Sequence, residues 1–271
     1  MLSLPAKVFI MRLERHPGFL CFLAFVSLLL ISNLPAAAQT LYVMSYNIHH
    51  GADRAEKPTL EEIGRFIKTS GADLIGLQEV DSLCGRSGNV DQMKELAAIT
   101  GMHYAFVRHF AYDGGAYGLG ILSRYPVSEV KNHRITSLSK AGKGSLALLS
   151  AVITLPGKKK VQFATVHFAL DQPTRLTQSG ETMEFLKGSL PVILTGDLNA
   201  EPGQEEITQL GKIFSFGGLH SGPTYPDQEP VKKIDYILVS KDHLKKFTRT
   251  KVWEGVQHSD HLPLSTEAKL R

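Results

Sequence analysis

Two acidic signatures stand directly behind apolar runs, Leu77-Gln78-Glu79-Val80-Asp81 and Leu194-Thr195-Gly196-Asp197-Leu198-Asn199. Tyr46-Asn47-Ile48 and Thr165-Val166-His167-Phe168 close two more runs. Ile234-Asp235-Tyr236-Ile237 and Ser259-Asp260-His261-Leu262-Pro263-Leu264 open two others. Singly, each has a plain reading. Glu79 is a surface or capping carboxylate, Asp197-Leu198-Asn199 an Asx turn, and His167 a core histidine. Asn47 is a turn residue that closes a strand, and Asp260-His261 a structural pair. Together they ask for more. Carboxylates beside long apolar runs need partners, because an isolated buried charge is costly. A divalent cation is one such partner. Oxygen donors from Asp, Glu and Asn suit a hard ion such as Mg²⁺, Mn²⁺ or Ca²⁺. No Cys cluster and no His-Glu-x-x-His is present, so a typical zinc site has no support. A cation to neutralise charge, a carboxylate to deprotonate water and a histidine held by an aspartate suit water attack on a phosphoester.

The elements that must position these residues are legible in the pattern. Leu41–Asn47 alternates as a strand. Thr59-x-x-Glu62 is a capping-box pattern that predicts a helix through Ser70, ended by Gly71. Leu74–Leu77 and Val192–Thr195 read as short buried strands, and Leu119–Ser123 as another. Asp91–Thr100 and Pro173–Lys187 read as helices. Leu146–Leu155 and Lys160–Phe168 flank Pro156-Gly157, a hairpin signal. Ile234–Val239, Arg249–Trp253 and Leu262–Ala268 complete the strands. Strands that arrive partly in hairpins and partly through helices predict mixed sheets with helices outside. No internal repeat or linker interrupts them. Lys158-Lys159-Lys160 and Lys232-Lys233 read as solvated edges.

In this order, Asn47, Leu77-Gln78-Glu79-Val80-Asp81, Thr165-x-His167, Gly196-Asp197-x-Asn199, Ile234-Asp235-Tyr236 and Ser259-Asp260-His261 resemble the endonuclease/exonuclease/phosphatase superfamily. That family includes pancreatic-type deoxyribonuclease, AP endonucleases, neutral sphingomyelinases and inositol polyphosphate 5-phosphatases. The resemblance spans nearly the whole chain after residue 38. It implies an α/β (α+β) fold, a four-layer sandwich of two mixed β-sheets packed face to face with helices outside. It implies one or two divalent ions, with Glu79 the principal ligand, Asn47 beside it, and Asp260 contributing directly or through water. Asp197 would orient or deprotonate water, and Asn199 would bind the phosphate. His261 would donate to the phosphate, oriented by Asp235, with His167 a second phosphate contact. His167 stands where AP endonucleases carry a tyrosine, which points to the deoxyribonuclease and sphingomyelinase side. Tyr117 in Gly114-Gly115-Ala116-Tyr117-Gly118 is a candidate pocket residue, or packs its loop. Arg86 is a candidate phosphate contact through its planar fork, or a surface arginine. Arg175 is similarly open.

Composition sets the remaining bounds. Lys7, Arg12 and Arg15 precede an uncharged run, Phe19–Ile31, and then Leu34-Pro35-Ala36-Ala37-Ala38. Basic, apolar and small-residue parts in that order predict a secretory signal peptide over residues 1–38, cleaved near Ala38. One domain over residues 39–271 follows, secreted or periplasmic. Loss of residues 1–38 leaves 27 basic against 25 acidic residues, from 30 and 26 in the full chain. So mild a balance argues against a dedicated duplex-DNA grip. Only Cys84 remains, which excludes an intramolecular disulfide. No aromatic hairpin for membrane entry is evident, so stable membrane insertion is not expected, and the expected form is a monomer. The substrate class is a phosphoester: nucleic acid, phospholipid head group or a small phosphoester. A sugar or inositol phosphomonoesterase, and a silent phosphate-binding protein on the same fold, are the alternatives.

Overall fold

The structure, a computed structural model, describes residues 39–139 and 142–271. The expected signal peptide lies outside these residues. The first half contributes β1 (Thr40–Asn47), α1 (Leu60–Ser70), β2 (Leu74–Ser82), α2 (Gln92–Thr100), β3 (His103–Tyr112) and β4 (Gly115–Ser123). Then come β5 (Val127–Ser139), β6 (Gly142–Thr154), β7 (Lys160–His167), α3 (Gln172–Phe185), β8 (Val192–Asp197) and α4 (Glu205–Leu210). The chain ends through β9 (Phe214–Gly217), β10 (Asp235–Ser240), β11 (Leu244–Val252) and β12 (Leu264–Leu270).

These strands form two six-stranded sheets, ordered β3-β4-β2-β1-β12-β11 and β5-β6-β7-β8-β10-β9. The two sheets repeat one plan. Each begins with an antiparallel hairpin and centres on a parallel pair, β1 with β2 or β7 with β8. Each finishes with two antiparallel strands. The repeat is in topology; the residues that fill it do not repeat.

Alternation along the strands makes the layers. Leu41 and Val43 of β1, Val161 and Phe163 of β7, Ile193 of β8, and Ile237 and Val239 of β10 share the core between the sheets. Their neighbours point the other way. Met44, Tyr46, Ile75 and Leu77 pack against Ile63 and Ile67 of α1 and Met93 and Leu96 of α2. Val166, Leu194, Tyr236 and Leu238 pack with Ile207 and Leu210 of α4. The i, i+3 and i, i+4 spacing of those helical residues is what one buried helix face requires. The result is the four-layer sandwich. The sheets approach closely at Gly76, where a Cβ would fall 1.9 Å from Thr195 Oγ1 and 2.8 Å from Thr165 Oγ1. Among the described residues, no helix is long and apolar enough to cross a membrane.

Local differences from the pattern have physical causes. Gly71 ends α1 in the left-handed region (φ 77°) as expected, but the capping box does not form. Thr59 Oγ1 instead donates to His258 O at 2.5 Å, tying the helix start to the segment before β12. Asp91 and Asp171 do cap α2 and α3, accepting from Lys94 N and Thr174 N. The pattern does not foretell β3, β5, β9 or α4. In β3, Ala105, Val107 and His109 face inward, but Tyr104 and Phe110 occupy the outer positions and erase the alternation. β5 is a largely polar sheet-edge strand.

Candidate active site

Strand periodicity alone delivers four polar residues to one place. Asn47 continues the inner face set by Val43 and Ser45, and His167 the one set by Phe163 and Thr165. Asp197 continues that of Ile193 and Thr195, and Asp235 stands two residues before Ile237. Asn47, His167 and Asp197 end β1, β7 and β8, the central parallel strands. Carboxyl ends of parallel strands are where open α/β sheets place ligands. Glu79 does not follow this rule. In strict alternation it would face α2 with Ile75 and Leu77. A bulge between Leu77 and Val80, with Glu79 at φ 58°, turns it to the inner side. Gln78, beside it, donates to Thr165 Oγ1 of the other sheet at 2.7 Å.

His261 sits between two carboxylates. Its Nδ1 lies 3.0 Å from Asp235 Oδ2 and its Nε2 lies 3.6 Å from Asp197 Oδ2. Burial pulls the His261 pKa down, but Asp235 and then Asp197 overcome it and push it up to about 10. The two carboxylates thus favour the protonated, cationic ring. Burial, then repulsion from Asp235, raises the Asp197 carboxyl above its ordinary range. Asn199 N–H donates to Asp197 Oδ1 at 2.9 Å and fixes that carboxylate.

Burial would likewise raise the Glu79 carboxyl, but His167, the Asn47 hydrogen bond and His261 hold it below its usual range. Asn47 Nδ2 bridges Glu79 Oε1 (3.0 Å) and Asp197 Oδ2 (3.2 Å). Its Oδ1 accepts from His49 N–H at 3.1 Å. The amide thus shows its donor side to the carboxylates. Asn47 orients them here, and its Oδ1 keeps a second lone pair beside the His49 N–H. Glu79 and Asp260 line the same cleft, and among the described residues neither has a lysine or arginine within ion-pair distance. Two carboxylates without a lysine or arginine partner, facing one cleft, fit a hard divalent ion.

The cleft is about 650 Å³ and is lined by Glu79, His167, Asp197, Asn199, Asp260 and His261, among others. Asn199 Nδ2 donates to Phe168 O at 2.9 Å and lies 3.2 Å from His167 Nε2. Its direct contact is therefore with His167; reaching a phosphate requires trading one of these bonds. Tyr117 lines the cleft wall and packs with His109 and Phe110. Asp235 and Asn47 lie behind it, holding residues that face it.

Arg86 takes a different position from the one its fork suggests. Its Nε and Nη2 each donate to the fully buried Asp81 at 2.8 Å, and its guanidinium lies 4.6 Å from the Tyr112 ring centroid. The Nε/Nη2 edge of that fork is occupied by Asp81, and Nη1 lies outside that pairing. Arg86→Ala should therefore cost about 3 kcal/mol of stability in urea unfolding, by stranding Asp81. KM should stay near wild type. Arg175 is similarly used, pairing with buried Glu206 and donating to Leu170 O at 2.5 Å.

Lys233 corrects the reading of a solvated edge, while Lys232 is exposed as expected. Lys232 lines the cleft. Lys233 is 7% exposed, and its Nζ donates to Asp235 O. Burial lowers its pKa to about 8 against the pull of Asp235 and Asp197. Tyr225 carried no sequence signal, yet its ring stands 4.7 Å from that of His261.

The family described as "Endonuclease/Exonuclease/phosphatase family" matches residues 44–261. The uncharacterized protein YbhP of Escherichia coli is 28% identical over 244 residues, 84% of this chain and 96% of that protein. Among solved structures, mannosyl-6-phosphatase Bt3783 of Bacteroides thetaiotaomicron superposes with TM-score 0.63 at 19% identity. It covers 84% of this chain and 99% of that one. Beta toxin of Staphylococcus aureus, with bound magnesium ions, superposes with TM-score 0.62 at 17% identity. It covers 85% of this chain and 100% of that one. Likeness at those identities speaks for the fold, and the match over residues 44–261 speaks for descent: the chain belongs to the endonuclease/exonuclease/phosphatase family.

Proposed function

We propose that the chain is a secreted, divalent-metal-dependent phosphoesterase that acts on phosphodiesters by water attack on phosphorus. The observation that carries this reading is the Asp197–His261–Asp235 array facing Glu79 and Asp260 across one cleft. Glu79 and Asp260 would hold a hard ion of the Mg²⁺ class, which would supply Lewis-acid neutralisation of phosphate charge. The chain does the rest. Asp197, with its raised affinity for protons, takes one from the attacking water as its oxygen bonds to phosphorus; the opposite P–O ester bond breaks, and the leaving oxygen takes a proton from solvent. His261, a cation, donates from Nε2 to a phosphate oxygen as negative charge builds. Asp235 holds that ring through Nδ1 and keeps it charged. Asn47 spaces Glu79 from Asp197, and Asn199 fixes Asp197 and His167.

The cleft volume suits an ester with an organic group attached. A phosphomonoesterase is the second reading, favoured by Lys232 on the cleft wall and by the name of the similar mannosyl-6-phosphatase. Rates on bis-p-nitrophenyl phosphate, p-nitrophenyl phosphate, DNA and sphingomyelin, with Mg²⁺ and after chelation, decide between them. No metal-dependent turnover on any of them would leave a silent binding protein. Secretion is tested by whether the protein from expressing cells begins near Gln39.

Asp235→Asn tests the electrostatics. Without that carboxylate, burial pulls the His261 pKa down. The expected result is a loss of about 10²–10⁴ in kcat, and a basic limb of the pH–rate profile displaced to lower pH. Unchanged turnover and an unmoved limb would remove Asp235 from the mechanism.

A further inference from the structure

A second group of ligating side chains lies on the loop between β1 and α1. His50 Nε2 stands 2.9 Å from Glu56 Oε2, and His49 Nε2 3.6 Å from Glu56 Oε1. One ligand atom from each of the three lies within 4.8 Å of the others. Metal–nitrogen and metal–oxygen bonds of about 2.0–2.2 Å at tetrahedral angles separate two ligand atoms by about 3.4 Å. The separations of 2.9 and 3.6 Å bracket that edge.

The backbone holds this arrangement against its own preference. His49, His50 and Glu56 have φ of 44°, 45° and 63°. Two consecutive left-handed non-glycine residues are unusual, and they set the imidazoles 4.4 Å apart, toward one carboxylate. A single histidine–glutamate hydrogen bond would account for His50 but not for His49 sharing the same partner. The loop is braced. Asp53 Oδ1 accepts from Ala55 N and Lys57 N, Ala52 bridges to Pro58, and Gln92 Nε2 donates to His50 O at 2.6 Å. The histidine side chains are 19% and 9% exposed and Glu56 is 67% exposed. The nitrogens are inside and the carboxylate is the wet edge, which leaves an entry path and room for a water ligand. Nδ1 of both rings is buried without a partner, so the Nε2 edge facing Glu56 carries the polar contacts of both rings.

We propose that His49, His50 and Glu56 bind a transition-metal ion of the Zn²⁺/Co²⁺ class, at a site distinct from the Glu79/Asp260 oxygens. Two imidazoles and one carboxylate suit such an ion, whereas an all-oxygen set suits Mg²⁺. His49 N–H donates to Asn47 Oδ1, so an occupied site stiffens the loop that holds the bridging amide. Its role is to clamp, and it stands whether or not the chain hydrolyses phosphoesters.

The test is a Co²⁺ titration in excess Mg²⁺, followed by visible absorption and by thermal unfolding. Wild type and Glu79→Gln should each bind one tight Co²⁺ with a d–d band and a rise in Tm. Glu56→Gln, a change at an exposed position, should keep its far-UV spectrum, lose the band and bind Co²⁺ at least tenfold more weakly. His50→Gln should do the same. Equal Co²⁺ stoichiometry, affinity and spectrum in wild type and Glu56→Gln overturns the proposal. So does a tight site that vanishes in Glu79→Gln and survives in Glu56→Gln.

Discussion

His261→Ala is expected to lower kcat on the best phosphoester substrate by about 10³-fold, with a smaller change in KM. The magnitude follows from where the ring sits. Its Nε2 stands 3.6 Å from Asp197 Oδ2, and Asp235 pre-orients it at 3.0 Å through Nδ1. Its contact strengthens as charge develops on phosphorus, so the loss falls on turnover rather than on binding. His261→Gln, which keeps a donor without the charge, should recover only part of the rate. Equal loss in kcat/KM through KM alone would make His261 a binding residue instead. The raised pKa also bears on stability in the metal-free protein. A folded value of about 10 against 6.5 means the contribution is complete below about pH 6.5 and is lost as pH rises through about 10. Chemical denaturation of wild type and His261→Ala at pH 6 and pH 10 should show the gap between them narrowing at the higher pH.

Glu79→Gln is expected to abolish metal-dependent turnover and to weaken Mg²⁺ binding by more than the roughly 10–100-fold that outer-sphere partners contribute. The carboxylate is held ionised by His167, Asn47 and His261 and is free of any arginine or lysine ion pair among the described residues. An amide of the same shape keeps the Asn47 neighbourhood and removes the charge. Excess Mg²⁺ or Mn²⁺ should restore little. Wild-type Mg²⁺ affinity in this variant, measured by calorimetry, would place the ion elsewhere.

Much of this site is visible in the chain because strand periodicity is a strict rule. Asn47, His167, Asp197 and Asp235 each stand at an even spacing from a core residue, so an apolar run ending in a polar side chain already states which face that side chain takes. Glu79 is visible by type but not by orientation. Nothing in Leu77-Gln78-Glu79-Val80 announces a bulge, and without one the carboxylate points into a helix-covered layer. Thr59 carries a helix-start signal that is overridden by a partner almost 200 residues away. Lys233 reads as one more surface lysine until the segment before β10 folds it against Asp235. Arg86 has the chemistry of a phosphate ligand, but Asp81, buried five residues earlier, takes its Nε/Nη2 edge first. β3 and β5 escape notice because edge strands answer to one neighbour and tolerate aromatic or polar residues on the free side. His49-His50 falls in a turn whose left-handed backbone no propensity foretells.

Asn47 reaches Asp197 across 150 residues and His261 across 214. Each of the two like-built sheets supplies part of the array, and neither holds it complete. Contacts of that sequence separation close late, after the entropy of long loops has been surrendered. A chain with its sheets and helices formed but these contacts still open would have no working centre. On dilution from denaturant, far-UV ellipticity should return well before turnover does. A newly made chain would then acquire its chemistry only when β12 docks, which ties the onset of activity to the completion of the fold.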